Sequence, residues 1–140
     1  MTITADSDDT DGAFSVMDML APPDFENGLH THEPAEVFHV ISGEMMLYVD
    51  GDTQLLEPGM SGYVSAGEPH GMRVEGDEVL RVIVVFSPAG AEDFFRAIGD
   101  PAAARTVPEP REMADSDLEA IFTTGAEYGF EFLGPLPIDE

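Results

Sequence analysis

Four histidines stand in the chain, His30, His32, His39 and His70, and three of them are spaced for metal chemistry. His30 and His32 lie two apart, so on a strand their imidazoles point to the same side. Glu36 shares their parity and joins them if the strand, or a bulged continuation of it, keeps register. Two imidazoles and a carboxylate from one strand form a chelate of borderline-to-hard ligands suited to a divalent ion. His70 lies beyond a hairpin, just before another strand-forming run, and can close the same site from a neighbouring strand. Three His and one Glu leave one or two positions on the ion open to water, substrate or O2. Open positions separate catalytic metal sites from structural ones. Taken singly, each residue has a plainer reading: an HxH pair on a solvated strand, a surface Glu36, a turn-bound His70 after Glu68-Pro69. The glycines and prolines around all four favour the joint reading. His39 has the opposite parity to Glu36 and is expected to face away in a structural role.

The elements that must position these residues read as mostly β. Residues 14–21 alternate weakly, and 36–42 and 44–49 are rich in β-branched, aromatic and long apolar side chains on either side of Gly43. Asp50-Gly51 is a two-residue hairpin signal, with 53–56 as the returning strand. Further short strands are expected at 62–65, 70–75 and 79–87, the last apolar enough to be covered on both faces. Many short strands separated by turn residues mean a sandwich or barrel. After Pro88 the pattern changes. Residues 91–98 read as a helix stopped by Gly99 and Pro101, 100–112 as a linker, and a second helix starts near Ser116. The tail GFEFLGPLP is apolar enough to pack on something.

With 140 residues and 43% apolar side chains, the chain is one globular domain's worth. The charge is lopsided: 29 Asp and Glu against 5 basic residues, all of them Arg, for a net −24. That excludes ordinary nucleic-acid binding, which needs a basic face, and argues against anionic membranes. No apolar run approaches transmembrane length. Residues 1–12 have neither the basic nor the apolar region of a signal peptide, so a cytoplasmic location is expected. The chain has no Cys, which removes disulfides, thiolate metal sites and Cys nucleophiles. Self-repulsion at −24 is screened when molar salt cuts the Debye length to about 3 Å, so the composition suits a salt-loving host.

His30-Thr31-His32, three residues, Glu36, six residues and Gly43 resemble the first motif of the cupin superfamily; Gly59 and Gly67, two residues, His70 resemble the second. The likeness extends to the small quercetin-dioxygenase-like cupins. Residues 11–15 look like their opening strand, 86–90 with Phe94-Phe95 like their barrel exit and first helix, and Tyr128-Gly129 with Leu133-Gly134-Pro135 like their C-terminal signature. Three positions depart from the pattern: Asp24 stands where the first motif opens with glycine, Ser65 where the second has proline, and Val74 where it closes with asparagine.

The resemblance implies an all-β fold, the cupin double-stranded β-helix (a jelly-roll barrel), with a short helical C-terminal extension that caps the barrel or packs in a homodimer. The expected division is an acidic N-terminal tail at 1–13, the barrel at 14–88 and the extension at 89–140. It also implies that His30, His32, Glu36 and His70 hold one divalent transition metal ion: Fe, Mn, Ni, Co, Cu or Zn. The implied activity is a dioxygenase acting with O2 on a flavonol-like or other small enol or aromatic substrate; Glu36, the one carboxylate of the four, either stays on the metal or loosens and accepts the substrate hydroxyl proton as catalytic base. Phe38, Met45, Leu47, Met72 and Phe86 are candidates to line the interior. Two other classes fit the same scaffold: a non-oxidative isomerase or lyase, and a metal- or ligand-binding sensor without turnover. Arg73 and Arg81 are expected to pair with nearby carboxylates on the strand surface, which disfavours strongly anionic substrates.

Overall fold

A computed structural model describes residues 2–98, 125–127 and 129–137. Among the described residues, ten strands form two five-stranded antiparallel sheets in the orders β1-β2-β9-β4-β7 and β10-β3-β8-β5-β6. The first sheet holds β1 (Thr2–Ala5), β2 (Ser15–Ala21), β4 (Ala35–Ser42), β7 (Ser61–Val64) and β9 (Leu80–Ser87). The second holds β3 (Leu29–Thr31), β5 (Glu44–Val49), β6 (Asp52–Leu56), β8 (His70–Glu75) and β10 (Glu131–Gly134). Among the described residues, α1 (Ser7–Thr10) links β1 to β2, α2 (Ala91–Ile98) follows β9, and residues 125–127 are also helical. The architecture is that of a double-stranded β-helix, as the motifs imply.

Alternation builds the core. Along β4, Glu36, Phe38 and Val40 turn inward, while Val37 and His39 turn outward. Along β9, Leu80, Val82, Val84 and Phe86 face the second sheet, from which Met45, Leu47, Met72 and Val74 reply. The five candidate interior residues are all buried. The expectation that β9 is covered on both faces is corrected: Arg81, Ile83 and Val85 are half-buried. β9 is a middle strand between β2 and β4, so its ladder is complete, but only its inner face meets another sheet.

Local chemistry sets the turns. Asp50 and Gly51 both have positive φ, 44° and 95°, and pair Val49 with Asp52 across a tight hairpin. Asp24 explains one departure from the motif. It sits at φ 67°, the left-handed region that favours glycine and that aspartate tolerates better than most side chains. Val74 is buried in β8 and its N–H donates to the Phe25 carbonyl at 2.8 Å, so the site of the missing asparagine serves the core. Ser65 opens the turn before His70, its N–H donating to Glu68 Oε1 at 2.8 Å.

The acidic stretch 1–13 contains both β1, which pairs with the edge of β2, and α1. Glu92, at the start of α2, ties this stretch down. Its two carboxylate oxygens accept from the Ser7 N–H at 2.8 Å and the Gly90 N–H at 2.7 Å. Burial pushes the Glu92 carboxyl up, but hydrogen bonds from the N–H groups of Glu92 itself, Gly90 and Ser7 outweigh it and hold it below the usual range. Glu92→Ala is expected to cost about 2 kcal/mol, because two backbone donors lose their partner. Chemical denaturation followed by circular dichroism reads this. The stabilisation is present at neutral pH and fades as pH falls below the ordinary carboxylate range.

The helix at 91–98 forms as its pattern predicts. The linker at 100–112 and the second helix near Ser116 lie outside the described residues. The tail does pack: β10 adds to the edge of the second sheet, beside β3. Among the described residues no helix is long and apolar enough to cross a membrane.

Candidate metal centre

His30 lies on β3, opposite His70 at the start of β8, so sheet register alone brings two imidazoles together. Their ring centroids are 4.3 Å apart, and His32 lies 4.6 Å from His70. The ligand nitrogens of His30, His32 and His70 all fall within 4.8 Å of one another. Glu36 joins them: its Oε1 lies 3.1 Å from His32 Nε2 and 3.0 Å from His70 Nε2. All four side chains are buried.

The route by which Glu36 arrives differs from the expectation of one continuous strand. β3 ends at Thr31, and β4 begins at Ala35 in the other sheet. The Glu33-Pro34 turn makes the crossing, since proline has no N–H to continue the ladder. Glu36 therefore faces the histidines across the barrel interior. His39 points outward, as parity predicts, with Nδ1 2.7 Å from Ser61 Oγ. Arg73 and Arg81 are paired as expected, with Glu75 at 2.6 Å and with both oxygens of Asp18 at 3.2 and 2.9 Å.

Each of the three histidines is oriented by its own local backbone. Nδ1 of His30 lies 2.7 Å from the Gly28 carbonyl, that of His32 2.8 Å from the Pro34 carbonyl, and that of His70 2.9 Å from the Glu68 carbonyl. A carbonyl only accepts, so Nδ1 carries a proton in all three rings and, in the neutral form a metal requires, Nε2 is the lone-pair nitrogen. For His32 and His70 that lone pair points at a carboxylate oxygen that also has only lone pairs. Acceptor faces acceptor twice, in a site closed to solvent. A cation held among these atoms resolves the conflict. The 3.0–3.1 Å separations match the roughly 3 Å spacing of adjacent ligands each about 2.1 Å from one ion. The donor set thus fits a divalent metal, and the carbonyl bonds to Nδ1 are the outer partners such ligands normally have.

Electrostatics agree with that chemistry. Burial, then the neighbouring His70, lowers the His30 pKa from 6.5 to about 4, so its ring is neutral at pH 7. Burial pushes the Glu36 carboxyl up, but Nε2–H groups of His32 and His70, where a proton stands in for the cation, outweigh it and hold it below the usual range. For the metal-free protein the His30 sign is definite. The unfolded chain takes up a proton near pH 6.5 that the folded ring resists until about pH 4. Stability should therefore fall across that window, by up to about 3 kcal/mol. Denaturant midpoints of chelator-treated protein at pH 7 and pH 5 check it.

Sequence reasoning missed the aromatic wall over the centre. Phe130 lies 5.0 Å from the His32 ring and 6.3 Å from His30, and Phe132 lies 5.9 Å from His30. Phe86 closes from the barrel side, 5.5 Å from His32. The alternation Phe130-Glu131-Phe132 was the available signal for a strand with two inward rings.

The cupin domain profile matches residues 17–86. The chain is 32% identical over 113 residues to quercetin 2,3-dioxygenase of Bacillus subtilis (strain 168), a match that takes in 79% of this chain but only about a third, 33%, of that protein's length. Among solved structures, an RmlC-like cupin from Shewanella frigidimarina NCIMB 400 aligns at 29% identity and a TM-score of 0.54, over 59% of this chain and 72% of that one. A chain from crystal structures of DMSP lyases aligns at 28% identity and a TM-score of 0.51, over 57% of this chain and 41% of that one. Fold, motif spacing and profile agree: the chain belongs to the cupin superfamily.

Proposed function

We propose that this cupin is a metal-dependent dioxygenase acting on a flavonol-like or other small enol or aromatic substrate, with His30, His32, Glu36 and His70 as ligands to one divalent transition metal ion. The observation that carries the reading is the apposition of Glu36 Oε1 to two lone-pair Nε2 atoms at 3.0–3.1 Å, which calls for a cation. Similarity to a quercetin 2,3-dioxygenase supports the reaction class. The metal, when bound, supplies a Lewis acid for the substrate oxygen and a site where O2 is activated.

The chain's own residues do the rest. The three imidazoles are locked by Gly28, Pro34 and Glu68 carbonyls, which leaves each Nε2 to serve as the ligand nitrogen. Glu36 is the sole carboxylate among the four. Held ionised, it accepts the proton of the substrate hydroxyl at Oε1 and so generates the enolate that reacts with O2. Phe86, Phe130 and Phe132 exclude water around that anion.

The test is elemental analysis followed, on the same sample, by O2 uptake with quercetin. About one equivalent of metal with catalytic uptake supports the proposal. Metal without uptake defeats the dioxygenase reading and leaves a lyase, favoured by the DMSP-lyase likeness, or a sensor. No metal after reloading defeats the site itself.

Two accompanying expectations belong to this reading. The outer face of the first sheet carries the apolar row Val16, Val85, Val37 and Tyr63, consistent with a homodimer that sedimentation velocity would detect. With −24 charges, the protein should melt several degrees higher in 1 M than in 0.05 M salt, as scanning fluorimetry would read.

A further inference from the structure

The C-terminal strand is fitted to the barrel by absences. A side-chain carbon at Gly28 would lie 2.8 Å from the Gly134 carbonyl oxygen, and one at Gly71 would overlap the Leu136 side chain. Both glycines flank candidate ligands, Gly28 beneath His30 and Gly71 directly after His70. The barrel has thus kept two positions bare beside its histidines, and the segment from Phe130 to Leu136 fills them. In register with this, Phe132 stands opposite His30 on the neighbouring strand, so the two side chains share one face. Phe130, two residues earlier, shares it as well. Its ring is buried and wedged between His32 at 5.0 Å and Phe94 at 4.4 Å. These residues lie outside the part of the chain that matches the cupin profile.

Among the described residues, the segment also borders a groove. This groove of about 730 Å³ is lined by Ala126 and residues 129–134, Phe130 and Phe132 among them. That volume suits a small organic molecule. One layer of phenyl rings therefore separates an accessible groove from the buried histidine nitrogens.

We propose that Phe130 and Phe132 are specificity-determining residues: they form the wall between groove and histidines, and their size sets how large a ligand reaches the centre. The proposal rests on reading the histidines as the reactive centre, and the experiment keeps the two separable. In its first arm, metal-free protein is treated with diethylpyrocarbonate and the modification rate of each histidine is followed by mass spectrometry. His30, His32 and His70 should react far more slowly than the outward His39. Phe130→Ala should speed modification of His32 and His30 at least tenfold and leave His39 unchanged, which separates an opened wall from general unfolding. Phe132→Ala, at a half-buried ring, does the same for His30 if the first variant folds poorly. Leu55→Ala, at an exposed position of β6 away from the groove, changes neither.

In the second arm, protein loaded with Co(II) is titrated with imidazole and with 4-phenylimidazole, reading the visible spectrum. The wall predicts that the Phe variants bind the phenyl compound at least tenfold tighter, with imidazole moved less than threefold. Unchanged histidine reactivity in both Phe variants overturns the proposal, as does an unchanged ratio between the two imidazoles. Failure to load cobalt overturns the metal reading alone, and the first arm then decides the wall.

Discussion

His32→Ala is expected to empty the centre and lower the melting temperature together, with metal affinity reduced by at least about a hundredfold. A residue that merely supports a ligand costs ten- to a hundredfold when removed, and in the proposed site His32 is a ligand itself. Its Nε2 lies 3.1 Å from Glu36 Oε1, and its Nδ1 is spent on the Pro34 carbonyl, so nothing nearby substitutes for the lost nitrogen. Because metal binds the fold and not the unfolded chain, the loss of affinity appears as lost stability. The difference in melting temperature should vanish when both proteins are stripped by chelator, apart from the packing cost of the missing ring against Phe86 and Phe130. His39→Ala is the control. It gives up one hydrogen bond to Ser61 on the outer face and should leave metal content unchanged. Full occupancy in His32→Ala, or metal loss in His39→Ala, would show that the ion sits elsewhere.

Glu36→Gln is expected to abolish O2 uptake while sparing the fold, with kcat/KM for quercetin falling by roughly 10² to 10⁴. The amide keeps the shape of the carboxylate and gains a donor that one lone-pair Nε2 accepts, so the metal-free protein should stay folded. What disappears is the negative charge and the capacity to take a proton. Glu36→Ala is the harsher change, leaving the Nε2 atoms of His32 and His70 buried without their partner oxygen. It should therefore lose stability as well as turnover. Kinetics of Glu36→Gln after metal reloading, with metal content measured in parallel, separate the two roles of this residue. Undiminished turnover in a fully loaded sample would remove Glu36 from the reaction.

Much of this was legible from residue order. β8 and α2 run over the residues their patterns mark, and Asp50-Gly51 makes its hairpin, because alternation, helical spacing and turn chemistry are local properties. The outward direction of His39 follows from parity in the same way. β1, β3 and β10 were not legible as strands. Each is only three or four residues long, too short for periodicity to register, and each exists because a sheet edge offers it a ladder of hydrogen bonds.

The centre divides along the same line. By itself the sequence determined which side chains are available for metal chemistry and how far apart they stand, and the alternation that turns them inward. Tertiary structure alone decided that His30 and His70 meet through β3–β8 register, that Glu36 reaches them from the opposite sheet, and that Phe130 and Phe132 cover them. It also decided the tautomers, because the carbonyls that hold each Nδ1 are aimed by turns whose shape depends on the sheets they join. Spacing is a property of the chain; convergence is a property of two sheets packed face to face, where residues far apart in sequence come within 3 Å of one another.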